Sequence, residues 1–311
     1  MTMTSPHKRS RQRSGRRQWD SASNMFRAVV ISVVIALVAT GATLAYLSHR
    51  NNQTQAAEAA KPERTVAPVP GTELAPVVPL GSILPKLQQG ARPFNIAVFG
   101  DSTGISSKGW QVIVPDWIGK TYDRPTFVRP WVKDNDRYDA TWTLRGGSRA
   151  PITVYNGSIP GQNVAYAKDR VDRIIPIPAV DVDVIFVNFG HTEPINQARG
   201  HVASFMNELQ ADYSNATVVN IEQNPDWTPS FSATVQEQNV RHVAKWVADR
   251  GFPSMPVNKA FVEYGDFNEL LDEPTRIHPN ANGYLLWSKV MVEALIAEGL
   301  PRNVPVPAPI V

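Results

Sequence analysis

The 311 residues contain no cysteine. No disulfide can brace an exported domain and no thiolate can bind a metal, so stability has to come from a packed core. Histidine is sparse as well: there are six, none in a His-x-x-x-His pair, so no metal-ligand spacing occurs. The Gly-x-Gly-x-x-Gly fingerprint is missing, which argues against a dinucleotide enzyme. No internal repeat is visible. The expectation is a chemistry that needs neither cofactor nor metal.

Acidic side chains are rare at the amino end. Residues 1–27 hold seven basic side chains and a single acid, Asp20. Ala28 to Leu47 then runs for twenty residues without Asp, Glu, Lys or Arg. As a helix it would be about 30 Å long, enough to span a hydrocarbon core. It is longer than the apolar part of a cleavable leader and continues into Ser48-His49-Arg50. The expectation is an uncleaved single-pass anchor, residues 28–47, with the basic tail cytoplasmic and the bulk of the chain outside. From Ala91 onward there are 20 basic against 24 acidic residues, a net of −4. The basic pI of about 9.1 thus belongs to the tail, and no nucleic-acid partner is expected.

Residues 48–90 are rich in Ala and Pro, with prolines at 62, 68, 70, 76, 79 and 85. Such a segment reads as an extended spacer reaching on the order of 100 Å, although Leu80–Leu87 has enough apolar character to pack on a domain. Residues 91–301 alternate strand and helix patterns, the sign of a parallel α/β sheet. Strands are expected at 95–99, 152–155, 182–188 and 216–221. Helices are expected at 108–122, 162–175, 194–213, 234–250 and 281–298. Residues 123–150, with Trp131, Trp142 and Gly146-Gly147, break the alternation and read as a cleft-shaping insertion. Residues 302–311 read as an exposed Pro-rich tail.

Chemistry concentrates at two points. Gly100-Asp101-Ser102 stands directly behind the apolar run Ile96-Ala97-Val98-Phe99. A strand ending in such a turn presents the Ser102 hydroxyl at the carboxyl edge of the sheet, where open α/β folds keep their sites. Serine needs a base to act as a nucleophile. His278-Pro279-Asn280, just before the last helix, supplies a histidine able to reach the same edge. Read more plainly, Ser102 and Asn280 are helix caps, which those residue types favour. Trp110, Trp117, Trp131 and Trp142 are core residues by default and a sugar platform in the alternative.

Four segments occur in order: Phe99-Gly100-Asp101-Ser102-Thr103, Asn156-Gly157-Ser158-Ile159-Pro160-Gly161, Phe189-Gly190-His191-Thr192-Glu193, and Ile277-His278-Pro279-Asn280. This resembles the SGNH/GDSL hydrolase family over roughly residues 91–301. The resemblance implies a flavodoxin-like three-layer α/β/α sandwich that cleaves esters through a serine acyl-enzyme. It makes Ser102 the nucleophile, His278 the base, and Gly161 a backbone oxyanion donor beside Ser102. Gly190, with Asp101 and His191 nearby, belongs to the oxyanion and substrate-binding set. The family's Asn in the third segment is Thr192 here, a shorter donor. The family's Asp three residues before the histidine is Thr275 here. Asp272 and Glu273, six and five residues ahead of His278, are the carboxylates that a bulged loop would swing onto the ring; a backbone carbonyl is the alternative.

The resulting expectation is a monomeric, membrane-anchored, extracytoplasmic esterase or acyltransferase acting on O-acyl esters of envelope polysaccharide or lipid. A catalytically silent glycan-binding scaffold of the same fold is the alternative, supported by the departures at Thr192 and Thr275.

Overall fold

The computed structural model describes residues 74–194, 196–226, 232–273 and 275–310. The basic tail, the apolar run 28–47 and most of the spacer lie outside them. Among the described residues, no helix is long and apolar enough to cross a membrane.

Eight strands form one sheet: β1 (Phe94–Gly100), β2 (Thr126–Val132), β3 (Arg137–Tyr138), β4 (Trp142–Arg145), β5 (Ile152–Asn156), β6 (Val184–Asn188), β7 (Thr217–Ile221) and β8 (Ser254–Met255). Their order is β3-β2-β5-β1-β6-β7-β8, with β4 also on β2. All pairings are parallel except those of β3 and β4 with β2. The five strands β5-β1-β6-β7-β8 reproduce the flavodoxin order, and its reversal point falls at β1.

Helices cover both faces: α1 (Ile83–Gln89), α2 (Trp110–Tyr122), α3 (Val164–Lys168), α4 (Val171–Ile174), α5 (Ala198–Asp212), α6 (Ser232–Arg250), α7 (Val257–Tyr264) and α8 (Ala281–Ala297). β1 is apolar on both faces because both are covered. Its Ile96 and Val98 pack with Trp110, Trp287 and Met291 of α2 and α8. Its Ala97 and Phe99 pack with Val202, Phe205 and Met206 of α5. Three layers result. Trp110 and Trp287 stack at 6.0 Å, and Trp110, Trp117 and Trp131 are all buried, so these rings are core and not a sugar platform.

Four expectations are corrected. Residues 123–150 are not simply an insertion, because β2 is an integral parallel strand of the sheet. Pro130 disguises it, since a proline in a central strand argues against one. Pro130 stands in register with Asn156, the last residue of β5, and falls between the β2 residues paired with β4 and those paired with β3. The helix expected over 162–175 breaks after Lys168. There Arg170 leaves helical geometry (φ −135°, ψ 10°), lays its guanidinium 4.0 Å over the Tyr166 ring and pairs with Asp136. The tail is not free: Val304 is buried and the Pro305 carbonyl accepts a hydrogen bond from Trp117 Nε1 at 3.1 Å. Finally, the folded unit starts before residue 91, because Leu80, Ile83 and Leu87 are buried in the core.

Gly283, in the first turn of α8, has no room for a side chain. A Cβ there would lie 2.1 Å from the Leu270 carbonyl oxygen. Ala normally gains about 1 kcal/mol over Gly in a helix, but overpacking against backbone costs about 1–3 kcal/mol. Gly283→Ala is therefore expected to lower the urea midpoint of unfolding. A midpoint at or above wild type would show that the Leu270 carbonyl yields freely.

Candidate active site

β1 delivers Ser102 to the reversal point of the sheet. Asp101 caps the short 3-10 turn that follows: its Oδ1 accepts from Thr103 N at 3.0 Å and from Thr103 Oγ1 at 2.9 Å. That leaves Ser102 half-buried at the tip, with its hydroxyl pointing out of the sheet edge. From α8, the Tyr284 hydroxyl donates to the Thr103 carbonyl at 3.4 Å. Burial pushes the Tyr284 pKa up, so it stays a donor.

The histidine arrives from 176 positions later. His278 Nε2 lies 2.8 Å from Ser102 Oγ. The loop before it folds back on itself: Asp272 N donates to the His278 carbonyl at 2.9 Å and Arg276 N to the Asp272 carbonyl at 2.8 Å. Arg276 takes a left-handed conformation, φ 49°, which costs a non-glycine residue energy. This turn brings Asp272 to the ring, with Oδ2 3.8 Å from His278 Nδ1. That is an ion-pair distance and too long for a hydrogen bond. The other carboxylate oxygen accepts from Thr275 Oγ1 at 2.9 Å and from His278 N at 3.2 Å. Thr275, at the position where the family carries Asp, thus holds a displaced carboxylate. Glu273 is not brought to the ring; it is exposed and paired with Arg276, Oε1 to Nη2 at 2.6 Å.

The loop after β5 lies alongside. Gly161 adopts φ +68°, the left-handed region that favours glycine. Asn156 ties the loop to the nucleophile turn, donating to the Gly104 carbonyl at 2.8 Å and accepting from Ser158 N at 3.2 Å. Among the described residues, no hydrogen bond within the chain uses the backbone N–H of Ser102 or of Gly161. Both donors remain available for an incoming oxygen.

The third segment does something other than expected. The Thr192 hydroxyl donates to the Gln162 carbonyl at 2.6 Å, so its proton is not free for an oxyanion. Next to it, buried Glu193 accepts from Val164 N at 2.7 Å and faces His201 Nδ1 at 2.8 Å. The pair braces the Gly161 loop instead of reaching over it. Gly190 keeps its neighbour close, since a Cβ there would meet Gln223 Oε1 at 2.8 Å.

His191 Nε2 donates to the Asn224 carbonyl at 2.9 Å. Desolvation lowers its pKa below the usual 6.5, outweighing the opposing pull of Asp101. A base with a depressed folded pKa favours folding when it is neutral. Stability is therefore full above about pH 6.5 and is lost as pH falls from there through the folded pKa. His191→Gln is expected to flatten the fall in urea midpoint between pH 7.5 and 5.5. An unchanged slope would show that His191 is not the titrating group.

Sequence reading missed Gln223 and Asn224, both buried and both at this edge. The available signal was their place immediately after the strand pattern 216–221, two amides at the carboxyl end of a buried strand.

The geometry defines a serine–histidine site at the reversal point of an α/β/α sandwich. The family model described as GDSL-like Lipase/Acylhydrolase matches residues 98–286, and the chain belongs to that family. It is an SGNH-type serine esterase by class. No curated protein matches it significantly. Among solved structures, it is similar to the lipase/acylhydrolase from Enterococcus faecalis, with 16% identity over 68% of this chain and 100% of that one, TM-score 0.50. It is also similar to a two-domain esterase (CEX) active on acetylated mannans, with 16% identity over 75% of this chain and 57% of that one, TM-score 0.52. The chain thus corresponds to a little over half of that two-domain protein. At these identities the likeness is one of fold.

Proposed function

We propose that this chain is an extracytoplasmic serine esterase or acyltransferase that acts on O-acyl esters of envelope polysaccharide or lipid. The observation that carries the catalytic part is the 2.8 Å contact between Ser102 Oγ and His278 Nε2. Ser102 Oγ attacks the ester carbonyl while His278 Nε2 takes its proton. Charge grows on the carbonyl oxygen, and the uncommitted N–H groups of Ser102 and Gly161 receive it. Asp272 stabilises the imidazolium through space, at 3.8 Å from Nδ1. His278 then returns the proton to the leaving alcohol. Water, or an acceptor hydroxyl, attacks the acyl-Ser102 ester and restores the free enzyme.

The location rests on the sequence: a twenty-residue uncharged run behind a basic tail, then a Pro-rich spacer. Such a tether suits a polymer held away from the bilayer. The substrate class draws support from the similar fold of the esterase active on acetylated mannans.

Acetate release from O-acetylated polysaccharide by the full chain, set against p-nitrophenyl acetate and medium-chain esters, tests the reading. Turnover of the acetylated polymer is expected. Activity confined to the medium-chain esters would overturn the polysaccharide assignment.

A further inference from the structure

Gln223 and Asn224 follow β7 and sit between the nucleophile turn and the histidine loop. Gln223 is completely buried. Its Nε2 donates to Asp101 Oδ2 at 3.0 Å, Thr103 Oγ1 at 3.1 Å and the Asn188 carbonyl at 3.1 Å. Its Oε1 accepts from His191 N at 2.7 Å. One amide therefore grips the turn carrying Ser102 from behind. Asn224 faces the opposite way. Its Nδ2 donates to the Ile277 carbonyl at 2.8 Å, one residue before His278, and its own carbonyl accepts from His191 Nε2.

We propose that Gln223-Asn224 is the positioning element of the Ser102–His278 pair. Gln223 fixes the nucleophile turn, Asn224 fixes the histidine loop, and the peptide bond between them sets their separation. The proposal rests on reading Ser102 and His278 as nucleophile and base.

Three observations show why such an element is needed. Among the described residues the ring of His278 has no carboxylate within hydrogen-bond reach, because Asp272 stops at 3.8 Å. The loop before it is open to solvent at Glu273 and Thr275 and strained at Arg276. Its other backbone bonds around His278, such as Asp272 N to the His278 carbonyl and Asn280 N to the Leu270 carbonyl, tie the loop to itself. The Asn224–Ile277 bond ties it to the sheet. Among the described residues the buried Asn224 Oδ1 has no hydrogen-bond partner, which is costly for stability. An apolar residue would avoid that cost but lose the tether.

A cycle of substitutions on the full chain, read with p-nitrophenyl acetate, tests this. Asn224→Ala is expected to lower kcat about 10²-fold, the scale of an ångström-sized misplacement, with KM within about twofold and Tm within a few degrees. In a His278→Ala background the same substitution is expected to change the residual rate by less than about twofold, because its effect passes through the ring. Equal losses in both backgrounds, or full kcat in Asn224→Ala, would overturn the proposal. If Asn224→Ala does not melt cooperatively, Asn224→Asp keeps the outline and replaces donor by acceptor, and the same split is expected of it. Undiminished turnover by His278→Ala alone would strike the base reading first, so the two failures are distinguishable.

Discussion

Ser102→Ala is expected to lower kcat for p-nitrophenyl acetate by at least about 10⁴-fold, with Tm within a few degrees of wild type. Among the described residues the side-chain oxygen makes one hydrogen bond, to His278 Nε2, and Ser102 is half-buried, so its removal takes away the nucleophile and little packing. The same substitution is expected to abolish labelling by a fluorophosphonate probe. What would remain is the contribution of the backbone oxyanion donors and of binding, which does not depend on the hydroxyl. Labelling that persists in Ser102→Ala would move the nucleophile elsewhere, and the acyl-enzyme would have to be reassigned.

Asp272→Asn is expected to lower kcat about 10²-fold, and Glu273→Gln to leave it within about twofold. The two carboxylates are neighbours in sequence, but only one faces the ring. Opposite charges about 4 Å apart are worth about 4 kcal/mol at an effective dielectric of 20 and about 1 kcal/mol in water. Asp272 is 41% exposed, so an intermediate value applies. At 1.36 kcal/mol per tenfold, that corresponds to roughly two decades. Asparagine at 272 keeps an oxygen for Thr275 Oγ1 and His278 N, so the loop should hold its shape while the charge is lost. A wild-type rate in Asp272→Asn would reduce the site to a serine–histidine dyad. A matching loss in Glu273→Gln would mean that the loop rearranges during the reaction.

Much of the sandwich was readable because both faces of its sheet are covered. A strand such as Ile96–Phe99, apolar on consecutive residues, has little alternative to burial, and the long α8 advertises its core face by spacing. The reading failed where a local feature contradicts a tertiary role. Pro130 hides β2, which nevertheless pairs in parallel with β5 along its whole length up to Asn156. Arg170 breaks a helix that periodicity would have continued, because its guanidinium finds Tyr166 and Asp136. The Pro-rich tail looked solvated, yet Trp117 offers it an indole donor.

The order of motifs by itself singled out Ser102, His278 and Gly161 as candidates, since each lies next to a turn or strand end whose chemistry is local. For the partner of the histidine, sequence offered two adjacent carboxylates, with a backbone carbonyl as the alternative. Only the tertiary structure could tell the carboxylates apart, because their placement depends on how the loop around Arg276 folds: Asp272 faces the ring at 3.8 Å and Glu273 pairs with the arginine. It likewise decided that the Thr192 hydroxyl is spent on the Gln162 carbonyl, and that two amides after β7 bond to the residues flanking Ser102 and to the residue before His278. Hydrogen bonds between residues 30 to 122 positions apart are set by how layers pack, and no local pattern in the chain encodes them.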